Sequence, residues 1–275
     1  MFATYSSKII ALKNKGTNQT QKFHFETLYE SKGLEEIKLF LLKNIDQIIE
    51  QNWGKFSKEF IVQHILKAQI VKLVRDKNEI IALAAASNKK IFNLNILYLE
   101  FTVINQDYQG YNLSTILNAQ IIIEQYLKGF FKRRFHALDI VTITRNLRVL
   151  GALSHFASYI YPDPKEFENA GKIKPSNERT WKIVNEILRI SWNPNRKLLK
   201  EGNVLIGSYE NTPWLIQHNI QKHYKTSVKD LGEKYLDLKK FADKEFIVHV
   251  RYNILSILKY FFWTFYKILS SYKDA

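Results

Sequence analysis

The sequence predicts an α/β fold, a mixed sheet flanked by helices, with a mostly helical C-terminal extension. Three observations predict it. The run Leu97-Tyr98-Leu99-Glu100-Phe101-Thr102-Val103-Ile104 is an apolar strand that passes through a short polar loop into an amphipathic segment. Around it, stretches with the two-residue spacing of strands alternate with stretches that have the three-to-four spacing of helices. The chain is 46% apolar over 275 residues, enough for one large domain or for a core plus an extension.

The elements follow in order. Leu34, Ile37, Leu41, Ile45 and Ile48 predict a helix over 34–50, and a second is expected over 57–67. Residues 70–75 (Ile-Val-Lys-Leu-Val-Arg) read as a strand. Asp76-Lys77-Asn78 reads as a tight turn into a paired strand over 79–87, where Ala residues weaken the strand signal. The apolar strand spans about 95–104. A helix follows from 112 to about 128, its wide apolar face set by Leu113, Ile116, Leu117, Ile121, Ile123 and Leu127. Residues 137–143 form another buried strand, and Thr144 can cap a helix over about 146–158. Tyr161-Pro162-Asp163-Pro164 marks a break. Beyond it, 165–245 mixes polar helical stretches such as Asn177 to Ile190 with loops, and Trp181, Trp192 and Trp214 are expected to pack.

A strand feeding a loop and a helix start is a ready anion site, because helix N-terminal amides lack acceptors and the dipole favours negative charge. The run Gln109-Gly110-Tyr111-Asn112-Leu113-Ser114 occupies that place. It resembles the acyl-CoA-binding segment of the GNAT N-acetyltransferase superfamily, Gln/Arg-x-x-Gly-x-Gly/Ala. Asn112 and Ser114 stand at the two small-residue positions, and Asn tolerates a left-handed backbone better than most residues. The element order from helix 34–50 to helix 146–158 is that of the family, and the resemblance covers about 25–162.

The resemblance implies a sheet whose strands near 103 and 140 are parallel neighbours that splay at their C-terminal ends. It implies acyl-CoA, most simply acetyl-CoA, as donor and no metal. The pantetheine arm would lie along strand 101–105, at Val103, Ile104 and Asn105, and the pyrophosphate on amides of Gly110 to Ser114, with Gln109 at the Gln/Arg position of the pattern. Asn146 matches an Asn that often opens the next helix. A Tyr acid often lies seven residues later, and there the sequence has Leu153. His155 and Tyr159 are the nearby polar groups, and His155 is taken as the candidate acid. Glu100 is the candidate general base, since a carboxylate beside an apolar strand can have a raised pKa.

The domain reading is an N-terminal strand or tail over 1–24, a core over 25–162, an insert over 163–245 and an apolar closing segment over 246–275. In that last segment Arg251, Lys259 and Lys267 leave uncharged runs of at most seven residues, far short of the about 18 that span a membrane. A final strand plus a buried helix closing the core is the expectation. A helix lying on a membrane surface is the alternative.

Composition narrows the chemistry. With no cysteine there is no disulfide, thiolate metal site or cysteine nucleophile, and the N-terminus lacks a signal-peptide pattern, so a cytoplasmic setting is expected. The seven histidines are scattered without metal-ligand spacing. Glu35-Glu36 compensates a helix dipole. No Gly-x-Ser-x-Gly elbow or Walker-type loop occurs. A net charge of +15 suits CoA phosphates, an acidic acyl carrier protein or a nucleic acid. Lys128, Lys132, Arg133 and Arg134 cluster where they complement a helix C-terminus, and no nucleic-acid motif accompanies them. Three functions are therefore weighed. The first is acetyl transfer from acetyl-CoA to a small-molecule or peptide amine. The second is long-chain acyl transfer from acyl-CoA or from acyl carrier protein. The third is a non-catalytic basic module for nucleic acid or a membrane surface. The acceptor would be set by 51–69 and 160–245.

Overall fold

The structure is a computed structural model. It describes residues 4–14, 16–29, 45, 48, 65, 67–131, 137–190, 196–206, 226–236 and 244–270. The expected helices 34–50 and 57–67, Glu35-Glu36, Lys132 to Arg134, Trp192 and Trp214 lie outside these residues, apart from isolated positions.

One mixed sheet organises the described chain. Its strands are β1 (Thr4–Lys13), β2 (Thr20–Tyr29), β3 (Ile70–Asp76), β4 (Glu79–Ile91), β5 (Leu94–Ile104), β6 (Ala137–Thr144), β7 (Tyr159–Tyr161), β8 (Lys197–Leu199), β9 (Val204–Ile206) and β10 (Lys244–Asn253). The order is β1-β2-β3-β4-β5-β6-β10-β9-β8, with β7 also on β10. All pairings are antiparallel except β5 with β6. The helices are α1 (Leu113–Phe131), α2 (Leu147–Ser154), α3 (Pro164–Ala170), α4 (Glu178–Ile190), α5 (Thr226–Leu236) and α6 (Ile254–Ser270).

Binary pattern decides the layers. In β10, Phe246, Val248, Val250 and Tyr252 join the core beneath α1, while Ile247 turns to the opposite face with Ile183, Val184 and Ile187 of α4. The alanines of β4 are buried: Ala82, Ala84 and Ala86 lie in the core on the α1 side. Small side chains there let α1 approach the sheet closely, which accounts for a strand rich in a poor strand former. A second cluster on the other face holds Leu73, Leu83, Ala85 and Val103 against Ile45, Ile48 and Ile65.

Five expectations are corrected. The N-terminal strand or tail over 1–24 is a two-stranded hairpin joined to β3, with Phe23 fully buried. The strand over 79–87 runs on to Ile91 and returns through Phe92 and Asn93, both at positive φ. The helix over 146–158 stops at Ser154, because Tyr159–Tyr161 is drawn into β7 on the edge of β10. The closing helix is buried on one side only: β10 is interior to the sheet, but α6 exposes Leu255, Phe262, Phe265 and Tyr266. The 163–245 region also contributes β8 and β9 to the sheet rather than helices and loops alone.

Candidate active site

The parallel ladder of β5 and β6 pairs Ile96 with Asp139 and ends at Leu99 with Thr142. Past that point, among the described residues, β5 pairs only with β4 as far as Ile104, and β6 continues beside β10. The strands splay as expected. At the parting, the Thr142 hydroxyl donates to the Leu99 carbonyl at 3.1 Å, a side chain completing a ladder that has lost its backbone partner.

A bulge falls at the same level. Ala86 pairs with Leu99 and Ala85 with Phe101, so Glu100 is the extra residue. Side chains therefore change phase: Leu97 and Leu99 face α1, while Phe101 and Val103 face the second cluster. The Asn105 N–H donates to the Ile81 carbonyl at 2.8 Å. By antiparallel alternation, the peptide groups of Thr102 and Ile104 then turn to the edge from which β6 has diverged.

Glu100 is partly buried, and the Ser87 hydroxyl donates to its Oε1 at 2.8 Å. Burial pushes its carboxyl above the usual range; the Ser87 hydrogen bond and Lys89 only partly oppose this.

The loop beyond β5 is tightly specified. Asn105 is buried and its Oδ1 accepts from the Asp107 N–H at 2.9 Å, capping a single 3-10 turn over Gln106–Tyr108. Gly110 has φ +95° and Asn112 φ +59°. Asn112 thus adopts the left-handed conformation at a position where the family pattern has glycine. Its carbonyl accepts from the Ile116 N–H at 3.1 Å, which opens α1. The amides of Leu113, Ser114 and Thr115 form the first turn, without intrahelical acceptors by construction. Tyr111 and Leu113 send their side chains into the core, so only their backbone is offered to a ligand. Gln109, Gly110 and Ser114 are exposed.

The sequence reading missed what holds this loop. The Asn14 amide, at the end of β1, donates to the Gln109 carbonyl at 3.0 Å, and its Oδ1 accepts from the Gly16 N–H at 2.8 Å. A Cβ on Gly110 would lie 2.7 Å from that Oδ1. Asp76 accepts from the Tyr108 hydroxyl at 2.7 Å and from Gln21 at 2.6 Å, and Phe23 meets Tyr108 and Tyr111 edge to face. Asn14 and Gly16 signal a turn in the sequence, but nothing local shows that the turn reaches a loop 95 residues away.

Across the parting, Thr144 Oγ1 accepts from the Asn146 N–H at 2.9 Å and the Asn146 carbonyl accepts from Val149, so Asn146 opens α2 at the C-terminal end of β6. Two helix starts thus flank one divergence. His155 lies at the other end of α2. It is exposed, with its ring 4.4 Å from Phe156 and 6.1 Å from Trp263 of α6. Leu153 is buried, and its carbonyl accepts from the Tyr252 hydroxyl at 2.8 Å. Among the described residues no group of acidic or histidine side chains could hold a metal.

Strand order, one parallel pair that diverges, and a left-handed loop into a helix are together the arrangement that the resemblance implied. No family model and no curated protein matches the chain. The solved structures that it is similar to include a GNAT-family acetyltransferase from Streptococcus pneumoniae, at 16% identity over 46% of this chain and 81% of that one, with a TM-score of 0.31. A ribosomal-protein-S5-alanine acetyltransferase from Vibrio fischeri matches at 16% identity over 50% and 81%, TM-score 0.33. An aminoglycoside N-acetyltransferase in complex with CoA matches at 16% over 40% and 74%, TM-score 0.29.

Proposed function

We propose that the protein is an N-acyltransferase that moves an acyl group, most simply acetyl, from acyl-CoA to an amine by direct attack. The observation that carries this reading is the β5–β6 divergence leading into the Asn112 loop. It joins an open strand edge to a helix N-terminus within one short run.

In this reading the pantetheine amides pair with the β5 edge at Val103 to Asn105 as an added strand. The pyrophosphate sits on amides from Gly110 to Ser114, and Asn146 lines the other side of the mouth. The amine nitrogen attacks the thioester carbonyl, whose developing oxyanion is met by a backbone N–H of the bulged strand near Ile104. The C–S bond breaks and CoA leaves as the thiolate. The proton of the attacking amine passes to Glu100, directly or through one water. A carboxylate with a raised pKa is the better acceptor for such a proton near neutral pH. Leu153 cannot return a proton to the thiolate, so that step falls to solvent or to His155. The acceptor is a small-molecule or peptide amine.

Native mass spectrometry of the protein with acetyl-CoA, a long-chain acyl-CoA and acyl carrier protein tests the donor. A stoichiometric acetyl-CoA complex is expected. Binding of the acyl carrier protein alone would replace CoA as donor, and binding of none would remove the reading.

A further inference from the structure

The expected closing helix is only half buried, and its other half has an unusual composition. Ser256, Ile257, Tyr260 and Thr264 face inward; Tyr260 stacks on Tyr252 at 5.9 Å, with Phe156 at 5.5 Å and Trp263 at 6.1 Å beside it. At 100° per residue, the exposed positions Ile254, Leu255, Leu258, Lys259, Phe261, Phe262, Phe265 and Tyr266 fill one continuous arc of roughly 160°. Six of these eight are aliphatic or Phe. Phe262 is 63% exposed and Tyr266 71%. Phe261 and Phe265 stack on each other at 6.1 Å, outside the core. Helix α1, against which α6 packs, adds exposed Phe130 and Phe131 in its last turn. An apolar face this wide marks an interaction surface rather than chance exposure.

The charges around it select the occupant. Residues 246–270 contain Arg251, Lys259 and Lys267 and no Asp or Glu. Lys259 and Tyr266 share one margin of the arc, next to the partly buried Trp263, and these side-chain types bridge hydrocarbon and head groups. A second copy would bring another +15 against this one, whereas an anionic surface attracts it. No helix among the described residues is long and apolar enough to cross a membrane, so α6 would lie on it.

We propose that the outer face of α6 docks the protein on an anionic lipid bilayer. The helix, about 25 Å long, lies in the interfacial plane with Leu258, Phe262 and Phe265 inserted and Lys259 at the head groups. This docking is independent of acyl transfer.

Co-sedimentation with vesicles of equal parts phosphatidylglycerol and phosphatidylcholine tests it. The wild-type protein is expected to sediment with them, weakly at high salt and little with pure phosphatidylcholine. The double variant Phe262→Ser/Phe265→Ser should lower the partition by about tenfold or more, and Lys259→Glu several-fold. Both sites are exposed, and a thermal melt by circular dichroism verifies that each variant folds. The proposal is overturned if the wild-type protein ignores anionic vesicles, or if the double variant binds them as well as wild type. It is equally overturned if the wild-type protein is a dimer that the double variant dissociates, since a second copy then covers the face.

Discussion

Two polar constellations lie in this sheet, and they differ in what they leave open. On the face covered by α4, Asp139 of β6, His249 of β10 and Thr180 of α4 form a closed network. His249 Nε2 is 3.0 Å from Asp139 Oδ1, and its Nδ1 is 2.9 Å from the Thr180 hydroxyl. Thr180 is 2.8 Å from the Tyr159 hydroxyl, which accepts from Asn177. Arg179 donates to Asp139 Oδ2 at 2.7 Å. One proton arrangement satisfies all of them: Tyr159 donates to Thr180, Thr180 to Nδ1, and Nε2–H to Asp139. Asp139, His249 and Thr180 are buried, so no substrate reaches them. At the end of β5, by contrast, side chains from β1, β2 and β3 brace the loop while helix-start amides face outward. A satisfied buried triad stabilises; a braced loop with outward donors can receive an anion. Side-chain identity alone favours the first as a site, since Asp-His-Thr looks catalytic; burial and donor exposure favour the second.

The largest expected separation between the two is Gly110→Pro. The loop has φ +95° at Gly110, and proline requires about −65° and removes an amide donor. CoA binding should vanish in calorimetry; the displaced turn also loses its Asn14 brace and lowers the melting temperature, so a circular-dichroism melt verifies that the variant folds. Unchanged CoA affinity in the folded variant would place the pyrophosphate elsewhere.

Glu100→Gln comes next. It keeps shape and removes the base, and kcat should fall by about ten- to ten-thousand-fold with little change in thioester binding. The pH dependence has a definite sign. Burial raises the Glu100 pKa, so the active carboxylate is lost as pH falls through a midpoint above the usual carboxylate range. That acid limb of kcat/KM should disappear in the variant. A limb that persists assigns the base to another group.

Asp139→Ala should do the reverse of Gly110→Pro. Removing one partner of a buried pair typically costs about 3–5 kcal/mol, read as a lower denaturant midpoint, with CoA affinity unchanged. Burial pushes the Asp139 carboxyl up, but the hydrogen bond from His249 and the charges of Arg179 and Arg251 outweigh it and hold the carboxyl below its usual range. A depressed carboxylate stabilises above its unfolded pKa and loses that contribution as pH falls through the folded one. The wild-type protein should therefore lose stability more steeply in acid than the variant does. A variant that loses CoA binding without losing stability would make the network part of the site.

Asn14→Ala has a smaller effect, because it removes a brace and leaves every proposed donor in place. A hydrogen bond of about 1 kcal/mol predicts roughly a fivefold loss of CoA affinity. An affinity equal to wild type would show that the loop holds its left-handed turns alone.

What was legible follows the range of the forces involved. The β5 strand, its loop and α1 are local in sequence, and Asn112 at positive φ could be read from residue type. The parallel partner at 137–144 was legible from its apolar run. Asn14, Gln21 and Asp76 were not, because they serve the loop through contacts distant in sequence. The bulge at Glu100 was hidden because an inserted residue leaves the apolar pattern unbroken. The Asp139–His249 pair was hidden too, since 110 residues separate its members. The half-exposure of α6 is not legible in the sequence, because an apolar helix reads the same whether core or solvent lies against it.

The smallest expected effect is that of His155→Ala. The family pattern would place a Tyr acid at Leu153, and His155 is the titratable side chain two residues on. Helix α2 has eight residues, so at 1.5 Å each it carries its end about 12 Å from Asn146 at the mouth. There His155 is exposed against Phe156 and Trp263. A group at that distance could protonate the departing thiolate only through water, and a thiolate of CoA leaves readily without help. The expected result is a kcat within about twofold of wild type, where a positioned acid would be worth a hundredfold or more. The double variant Glu100→Gln/His155→Ala should then match Glu100→Gln. A drop of a hundredfold in the single variant would instead give His155 the role of acid, and would require the mouth of the cleft to extend along α2 as far as Trp263.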